Sequence, residues 1–180
     1  MRDPAIQLPK LLCALALGCA ACATTPRALT GPSAPAQQRF AAHESARLVP
    51  LLLEVLRFHT VQGDAAARAA QQEWVRSTAR SLGLVAREAG LVTEVELAGP
   101  PGAPVLGLVV HGDVQPVDEK AWSVPPFEPR VVDAAGGPRV QGRGAADDKG
   151  PLVQALLALS ALGQSGIPRT HTVRAAGGQR

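Results

Sequence analysis

Cysteine is confined to the start of this 180-residue chain, where it occurs as Cys13, Cys19 and Cys22. Its absence from every later position excludes a disulfide framework and a cysteine-based zinc site in the body of the protein. A metal ion bound there would need histidine and carboxylate ligands. Carboxylates are in turn missing from Gly150–Arg180, which contains neither Asp nor Glu. In that region His171 is the only candidate metal ligand.

Aromatic residues are scarce as well, at 3% of the chain with no tyrosine, and the net charge is only +3. That charge comes from 18 basic and 15 acidic residues, and no basic run is dense enough to form a stripe for nucleic acid. The composition therefore indicates an ordinary solvated surface and no nucleic-acid partner. Hydrophobic residues make up 46%, which is enough for one domain with a buried core.

Apolar runs are short, and the first of them, Leu11–Ala23, has 13 residues. A membrane-spanning helix takes about 20 residues, so this run is too short to span a bilayer but has the length of a signal-peptide core. Arg2 and Lys10 supply a weakly positive start. We therefore predict an export leader over residues 1–23. The alternative, a buried N-terminal helix, is disfavoured by Pro9.

The end of the leader allows two kinds of processing. Ala21-Cys22-Ala23 resembles a cleavage site, which would give a periplasmic or secreted protein. Segments 16–19 and 19–22 each resemble a bacterial lipoprotein box, which would put a lipid anchor on Cys19 or Cys22 and hold the protein at a membrane. After the leader, residues 24–40 are rich in proline and are predicted as a flexible linker.

Periodicity predicts the elements of the remaining chain. Alternation over 92–97 predicts a half-buried strand near a sheet edge, and the unbroken run V-L-G-L-V-V at 105–110 predicts a strand buried on both faces. The order of elements favours an α/β fold with a mostly parallel sheet flanked by helices. The other predictions are helices over 41–58, 65–82 and 150–162, a strand over 170–173, and a hairpin that pairs 130–132 with 139–141.

Polar residues follow the predicted buried strand directly, as H-G-D at 111–113. Side chains two residues apart on an extended segment point the same way. His111 and Asp113 can therefore share a pocket at the carboxyl end of a strand, where α/β sheets place their sites. One imidazole and one carboxylate can begin a zinc or cobalt site. By itself, the motif equally fits a histidine in a strand-end turn beside a solvated aspartate.

A second motif, G-R-G-A-A-D-D-K-G at 142–150, places two aspartates before a predicted helix. Aspartate is a preferred N-cap and the helix dipole favours negative charge, so capping alone accounts for Asp147 and Asp148. The alternative is that one of them bridges two metal ions, which lie about 3.5–4 Å apart in two-metal hydrolases. Lys149 would then be a charge partner behind the bridging carboxylate.

Together the motifs carry a resemblance. H-G-D-V-Q-P-V, W-S-V-P-P-F-E-P and G-R-G-A-A-D-D-K-G-P occur in this order within Val105–Leu162. This resembles the co-catalytic zinc metallopeptidases of family M20, which include aminoacylase, carboxypeptidase G, succinyl-diaminopimelate desuccinylase and carnosinase-like dipeptidases. W-x-x-P-P-F and D-D-K-G-P are most similar to the dipeptidase branch. The resemblance implies that residues 41–180 are the N-terminal part of a phosphorylase/hydrolase-like zinc-peptidase catalytic domain.

The resemblance also implies roles for single residues. His111 matches a histidine that ligates one zinc, Asp147 matches the carboxylate that bridges both zincs, and Asp113 matches a catalytic carboxylate that orients or tunes the catalytic glutamate. Two zinc ions are implied, with cobalt or manganese as substitutes, and a dipeptide or an N-acyl amino acid as substrate. Residues that match the family without an implied ligand role are Asp148, Lys149, Trp122, Pro126 and Phe127, of which the last three either shape a loop over the metals or simply pack.

Other groups that the resemblance implies are missing from the sequence. A Glu-Glu pair that supplies the general base and a ligand, a further acid and a distant histidine should follow the next strand, yet Gly150–Arg180 has no acid. A catalytic zinc normally takes three protein ligands. We therefore expect the chain to be C-terminally truncated relative to the family, inactive and marginally stable alone. A dimerisation domain is not found either, so neither substrate preference nor oligomeric state is predicted.

Three functional hypotheses stay open. The chain is a shortened exported metallodipeptidase, a non-catalytic exported lipoprotein that uses the half-domain for binding, or a remnant of a nonfunctional gene. The DNA that follows the codon of Arg174 separates them. Another reading frame that encodes a strand followed by Glu-Glu would support the first or the third hypothesis.

Overall fold

The computed structural model describes residues 34–178. The predicted leader, 1–23, and the predicted linker up to residue 33 lie outside the described residues. Residues 34–40 of that linker are helical: α1 spans Ala34–Arg39 and runs directly into a π-helical turn, Phe40–Glu44. Glu44 is buried and accepts a hydrogen bond of 3.4 Å from the hydroxyl of Ser160, which holds this turn against the body of the fold.

The other elements follow in the predicted order, with one additional strand. The additional strand is β1, whose exposed sequence V-A-R-E-A lacks a clear apolar alternation. The predicted hairpin is confirmed as β4 and β5. The helices are α2 (Ser45–Val55), α3 (Ala65–Ser81) and α4 (Lys149–Gln164), and the strands are β1 (Val85–Ala89), β2 (Val92–Leu97), β3 (Val105–His111), β4 (Arg130–Val132), β5 (Arg139–Gln141) and β6 (Thr172–Gly178).

Local signals in the sequence set both ends of α3. At its start the carboxylate of Asp64 accepts a hydrogen bond of 2.8 Å from the N–H of Ala67, as an N-cap does. At its end Gly83 has a φ of +76°, and the N–H groups of Gly83 and Leu84 donate to carbonyls of the last turn. This is a Schellman motif, and the helix ends within one residue of the predicted range 65–82.

Four strands form one sheet, in the order β1-β2-β6-β3. β2 runs antiparallel to β1 and to β6, whereas β3 is parallel to β6. The predicted α/β class with a helix-flanked sheet is confirmed. Parallel pairing does not predominate, however: among the strands that the structure describes, only β3 and β6 pair in parallel, because β2 enters the sheet through a hairpin with β1.

β2 is half-buried, as predicted, and lies second from one edge of the sheet, between β1 and β6. Val95 and Leu97 are buried on the face that the helices cover. Glu96 points to the opposite face and pairs with Arg174 of β6 at 2.7 Å. The alternation in the sequence therefore reflects one apolar and one charged face, and it carries no information about which strands lie alongside.

β3 departs from its prediction, since it is not buried on both faces. Among the described strands it has a neighbour, β6, along one edge only. Val105, Leu106 and Val109 are 54%, 53% and 87% exposed. The uncharged run V-L-G-L-V-V thus forms an open sheet edge, with backbone donors and acceptors free to pair with another strand.

The core lies between the sheet and the helices. Burying a leucine or valine side chain contributes about 1.5–3 kcal/mol, so the many buried residues of α4 fix its position relative to the strand that ends at His111. No helix within residues 34–178 is long and apolar enough to cross a membrane. The buried residues of α4 and their main partners are Leu152, Val153, Leu156, Leu157, Leu159, Val55, Leu56, Val95, Val173 and Ala175.

Candidate metal centre

One half of the site is the end of β3. His111 is the last residue of that strand, and the N–H of the following Gly112 donates to the carbonyl of Gly178 in β6 at 3.1 Å. The chain then leaves the sheet, and the N–H of Val114 donates to the carbonyl of Thr60 at 3.0 Å. These bonds fix the backbone on both sides of Asp113.

The other half is the turn that leads into α4. Gly144 has a φ of +87°, a conformation that favours glycine, and its carbonyl accepts from the N–H of Lys149 at 3.0 Å. Gly150 lies so close to the preceding turn that a Cβ at this position would collide with the carbonyl oxygen of Ala145. The peptide bond between Asp147 and Asp148 is cis. Asp147 is therefore carried by a turn packed tightly onto the helix start.

The two halves meet at His111. Its Nε2 lies 3.0 Å from Oδ1 of Asp147. Its Nδ1 lies 3.2 Å from the main-chain oxygen of Asp113 and 3.4 Å from Oδ1 of the same residue. Its backbone N–H donates to Oδ2 of Asp148 at 3.1 Å. The structure thus brings all three predicted site residues together and adds Asp148 as a main-chain anchor.

The contact between His111 and Asp147 has a chemical consequence. When the Nδ1–H donates to Asp113, the Nε2 atom presents a lone pair. A carboxylate oxygen 3.0 Å away also presents lone pairs, and two such atoms repel each other unless a cation lies between them. The pair therefore requires a shared proton or a shared metal ion.

A short segment after α2, Phe58–Val61, connects the two halves. The hydroxyl of the buried Thr60 donates to the carbonyl of Gly112 at 2.6 Å, and Val61 forms a parallel bridge with Val114. The carbonyl of Phe58 accepts a hydrogen bond of 2.6 Å from Nζ of Lys149. The segment therefore contacts both the H-G-D turn and the first residue of α4.

Lys149 does not have the role that the sequence predicted for it. Its side chain is fully buried, and desolvation by this burial lowers its pKa to about 7. Its ammonium group reaches back to Phe58 and makes no ion pair with Asp147 or Asp148. Lys149 therefore connects α4 to the Phe58–Val61 segment by a hydrogen bond, and it does not pair with the carboxylates of Asp147 and Asp148.

A small cavity of about 180 Å³ opens at the meeting point. Its wall includes Arg143. The side-chain Nε of this residue donates to the carbonyl of Gln115 at 3.2 Å, and its main-chain N–H donates to the carbonyl of Pro126 at 2.7 Å. Phe127 is buried and stacks on His59 with ring centroids 3.8 Å apart, so it packs beneath the loop. The residues that line the cavity are His111, Asp113, Val114, Gln115, Arg143 and Asp147.

Sequence motifs gave no indication of Thr60, Phe58 or Arg143. Thr60 and Phe58 act through a hydroxyl and main-chain carbonyls, which carry no distinctive spacing in the sequence. Arg143 lies inside the G-R-G-A-A-D-D-K-G motif, and its charge four residues before Asp147 was the available signal.

Comparison with known proteins agrees with the geometry. Residues 107–177 match the sequence model of peptidase family M20/M25/M40. This segment is therefore similar to peptidase family M20. Succinyl-diaminopimelate desuccinylase of Shewanella pealeana is 47% identical to this chain over 57 residues, which cover 31% of this chain and 14% of that protein.

Solved structures of low sequence identity share the fold of the described residues. The dipeptidase Dug1p of Saccharomyces cerevisiae superposes with a TM-score of 0.68 at 19% identity, over 81% of this chain and 34% of that chain. Human carnosine dipeptidase 1 superposes with a TM-score of 0.67 at 18% identity, over 83% of this chain and 35% of that chain. The present chain therefore spans about a third of the length of these two proteins.

Members of family M20 are metallopeptidases that generally depend on zinc. The chemistry of the donor atoms fits such a metal in part. An imidazole nitrogen and a carboxylate oxygen 3.0 Å apart are suitable zinc ligands. Within residues 34–178 no group of three or more His, Cys, Asp or Glu residues could hold a metal ion. The described residues thus supply two donors, and a zinc site normally takes at least one protein ligand more.

Proposed function

We propose that His111, Asp113 and Asp147 form part of the divalent-metal centre of a hydrolase that cleaves peptide or amide bonds. The observation that carries this proposal is the 3.0 Å approach of His111 Nε2 to Asp147 Oδ1 in a polar cavity. A proton or a metal ion between the two atoms satisfies the pair, and zinc suits one nitrogen and one oxygen donor. Cobalt or manganese would be substitutes.

The protein's own residues prepare this pair. Asp113 lies on the Nδ1 side of His111 and would hold the tautomer in which Nε2 faces the metal. Asp148 holds the backbone of the same histidine. The side chain of Asp147 is 88% exposed, and among the described residues it forms an ion pair with His111. Its second carboxylate oxygen would therefore be available to a second ion.

A bound zinc ion would lower the pKa of a water ligand and polarise the carbonyl of the scissile bond. Among the described residues, two carboxylates line the cavity. Asp113 would orient the imidazole of His111, and Asp147 would bind the metal. The base that takes the proton from water, together with the remaining ligands, would have to come from protein outside residues 34–178.

The proposed substrate is a dipeptide or an N-acyl amino acid. The relatives described above are named for the removal of a succinyl group and for dipeptide cleavage. Both reactions would break a carbon–nitrogen amide bond next to a small acyl or amino-acid group. A cavity of about 180 Å³ has room for the reacting end of such a molecule.

Zinc binding by the 180-residue chain is expected to depend on His111 and Asp147. His111→Ala or Asp147→Ala removes one of two donors, so we expect the zinc affinity to fall at least about tenfold. Asp113→Ala keeps the main-chain oxygen that lies 3.2 Å from Nδ1 and removes only the carboxylate 3.4 Å away, so the affinity should fall by at most about tenfold. Titration calorimetry measures this effect after the three cysteines have been alkylated, because their thiolates would also bind zinc.

His171→Ala is the matched control for this experiment. His171 is exposed, and its Nδ1 lies 3.0 Å from the hydroxyl of Thr170, outside the cavity. Its removal should leave the zinc affinity unchanged. Equal affinity of the wild type and of both ligand variants would contradict the proposed centre. Hydrolysis of a dipeptide by the 180-residue chain with added zinc would show that no completing groups are needed.

We also propose that the protein is exported, on the basis of residues 1–23. A lipid anchor would be lost on Cys19→Ala or Cys22→Ala, which fractionation and labelling with a palmitate analogue would detect. Cleavage after Ala23 would instead release the protein to the periplasm or the medium. A cytoplasmic protein with its N-terminus intact would contradict both routes.

A further inference from the structure

The two outer strands of the described sheet differ in how their edges are protected. β1 carries Arg87 and Glu88, and charged side chains on an edge strand discourage pairing with another chain. β3 has no such protection, because residues 98–110 contain no charged side chain. The strand also contains no proline, and its register with β6 runs without a break. The edge of β3 is therefore a template for a further strand, whereas the edge of β1 is not.

The hydrogen bonds of β3 show which of its residues face outward. At the two ends of the strand, β6 accepts from the N–H of Gly112 and donates to the carbonyl of Pro104. The even-numbered residues of this stretch therefore face β6. Because successive residues of a strand direct their main-chain groups to opposite sides, the N–H and carbonyl groups of Val105, Gly107 and Val109 point away from the sheet.

The row of outward groups ends at His111. The N–H of this residue also points away from β6, and it already donates to the carboxylate of Asp148 at 3.1 Å. Three alternate residues are left, with Gly107 in the middle. In an antiparallel pair about a two-fold axis at Gly107, the main-chain groups of Val105 meet those of Val109 in the second copy. All outward donors and acceptors of the three residues would then be paired.

The side chains match in the same register. Leu106 and Leu108 lie on one face of the strand together with Val110, which packs against the core. Val105 and Val109 lie on the other face, and all four of these outer side chains are exposed. Pairing about the central glycine puts valine opposite valine on one face and leucine opposite leucine on the other. Each exposed apolar side chain therefore gains an apolar neighbour.

We propose that a second copy of this chain pairs with β3 along its outer edge, antiparallel and centred on Gly107. The rest of the 180 residues offers no equivalent strand. Residues 1–23 are the predicted leader, and residues 24–33 contain Pro26 and Pro32, which cannot donate to a ladder. Residues 179–180 are too few to form a strand.

The expected product is a weak dimer. A two-fold pair closes on itself, and the edges that remain outside are the charged edges of β1. One strand buries less than the roughly 1,200 Å² of the smaller stable interfaces, so we expect a dissociation constant on the order of 10–100 µM. The pairing involves no metal ligand side chain, so this inference does not rest on the proposed hydrolase function.

Sedimentation equilibrium of the full chain, with its cysteines alkylated and a chelator present, measures this association. Val109→Lys places a charge on the exposed edge and should weaken the dimer at least about tenfold. Val85→Lys is the matched control, because Val85 is also exposed and lies on the opposite edge of the sheet. It should leave the dimer unchanged. A monomer at every concentration, or a dimer that Val109→Lys does not weaken, would overturn the proposal.

The register is tested with single cysteines, after the three native cysteines have been replaced by serine. Gly107→Cys should form a disulfide with its own copy, since residues opposite each other in a hydrogen-bonded pair have Cα atoms about 5.5 Å apart. A Cβ at this position meets open space. Val109→Cys should not form a disulfide by itself, because its own copy lies four residues further along, about 14 Å away. Val105→Cys and Val109→Cys in one chain should form it.

The crosslinks also separate this dimer from other assemblies. A disulfide of Val109→Cys with its own copy would indicate a parallel or shifted pair and would contradict the proposed register. A dimer in which none of the cysteines crosslinks would show that the chain associates through another surface. Both measurements are made without zinc, so their failure leaves the metal proposal intact, and a failure of zinc binding leaves the dimer intact.

Discussion

The free energy of unfolding of this chain is expected to rise with pH between about 7 and 10, and Lys149→Met is expected to remove most of that rise. Lys149 is fully buried, and desolvation lowers its pKa in the folded protein from the ordinary 10.5 to about 7. Methionine has a similar length and volume but no ammonium group. Urea unfolding at several pH values measures the difference between the two proteins.

The sign of the effect follows from the protons bound in each state. Between pH 7 and 10.5 the unfolded chain keeps a proton on Lys149 that the folded chain has released. Raising the pH therefore favours folding, with a slope of up to about 1.4 kcal/mol per pH unit. Below about pH 7 both states are protonated, and the cost of burying the charge is present in full. The whole change is on the order of 5 kcal/mol.

The composition makes this measurement unusually clean, because the chain has no tyrosine to titrate near pH 10. Alkylation of the cysteines removes the thiols, and the other lysines are common to both proteins. Loss of the bond to the Phe58 carbonyl in the variant costs about 1–3 kcal/mol at every pH and does not alter the slope. Parallel stability curves for wild type and variant would show that Lys149 keeps its proton in the folded state.

Gly150→Ala is expected to destabilise the chain by about 2–3 kcal/mol and to weaken zinc binding at least tenfold. Alanine normally stabilises a helix relative to glycine by about 1 kcal/mol. Here its Cβ would meet the carbonyl oxygen of Ala145, which is backbone and cannot rotate away. The turn that carries Asp147 must then move, and overpacking of this kind costs about 1–3 kcal/mol or more. Urea unfolding and zinc titration measure the two effects.

Gly163→Ala provides the comparison within the same helix. A Cβ at Gly163 would lie 3.1 Å from Cδ1 of Leu97, the far end of a flexible side chain that can adjust. We expect this variant to remain within about 1 kcal/mol of the wild type and to bind zinc equally well. If the two glycine substitutions had the same effect, the close contact between Gly150 and Ala145 would not be what fixes Asp147.

The sequence predicted the candidate site better than it predicted the sheet. His111 and Asp113 share a side of an extended segment, so their proximity follows from strand geometry. The approach of Asp147 to His111 depends on how α4 packs against the sheet, and the resemblance to a family was what linked the two motifs. The hydrogen bonds of Thr60 and Phe58 use a threonine hydroxyl and a main-chain carbonyl, which are common groups. No spacing in the sequence could therefore reveal them.

The errors in the sheet have one physical origin. Periodicity reports how each face of a strand is covered, and it does not report which strand lies alongside. β2 alternates because one face meets the helices and the other carries charged pairs. β3 is uniformly apolar, yet both of its faces are open in the part of the chain that the structure describes. Its composition is that of a strand whose two faces are both covered.

The open edge of β3 links assembly to ligand binding. His111 is the last residue of this strand, so local opening of the uncovered edge would also displace His111. A strand that docked along Val105–His111 would hold the imidazole in place and thereby raise its affinity for a metal. Thermodynamic reciprocity then requires the metal to tighten the docking by the same factor. Metal content and the completion of the sheet would rise and fall together.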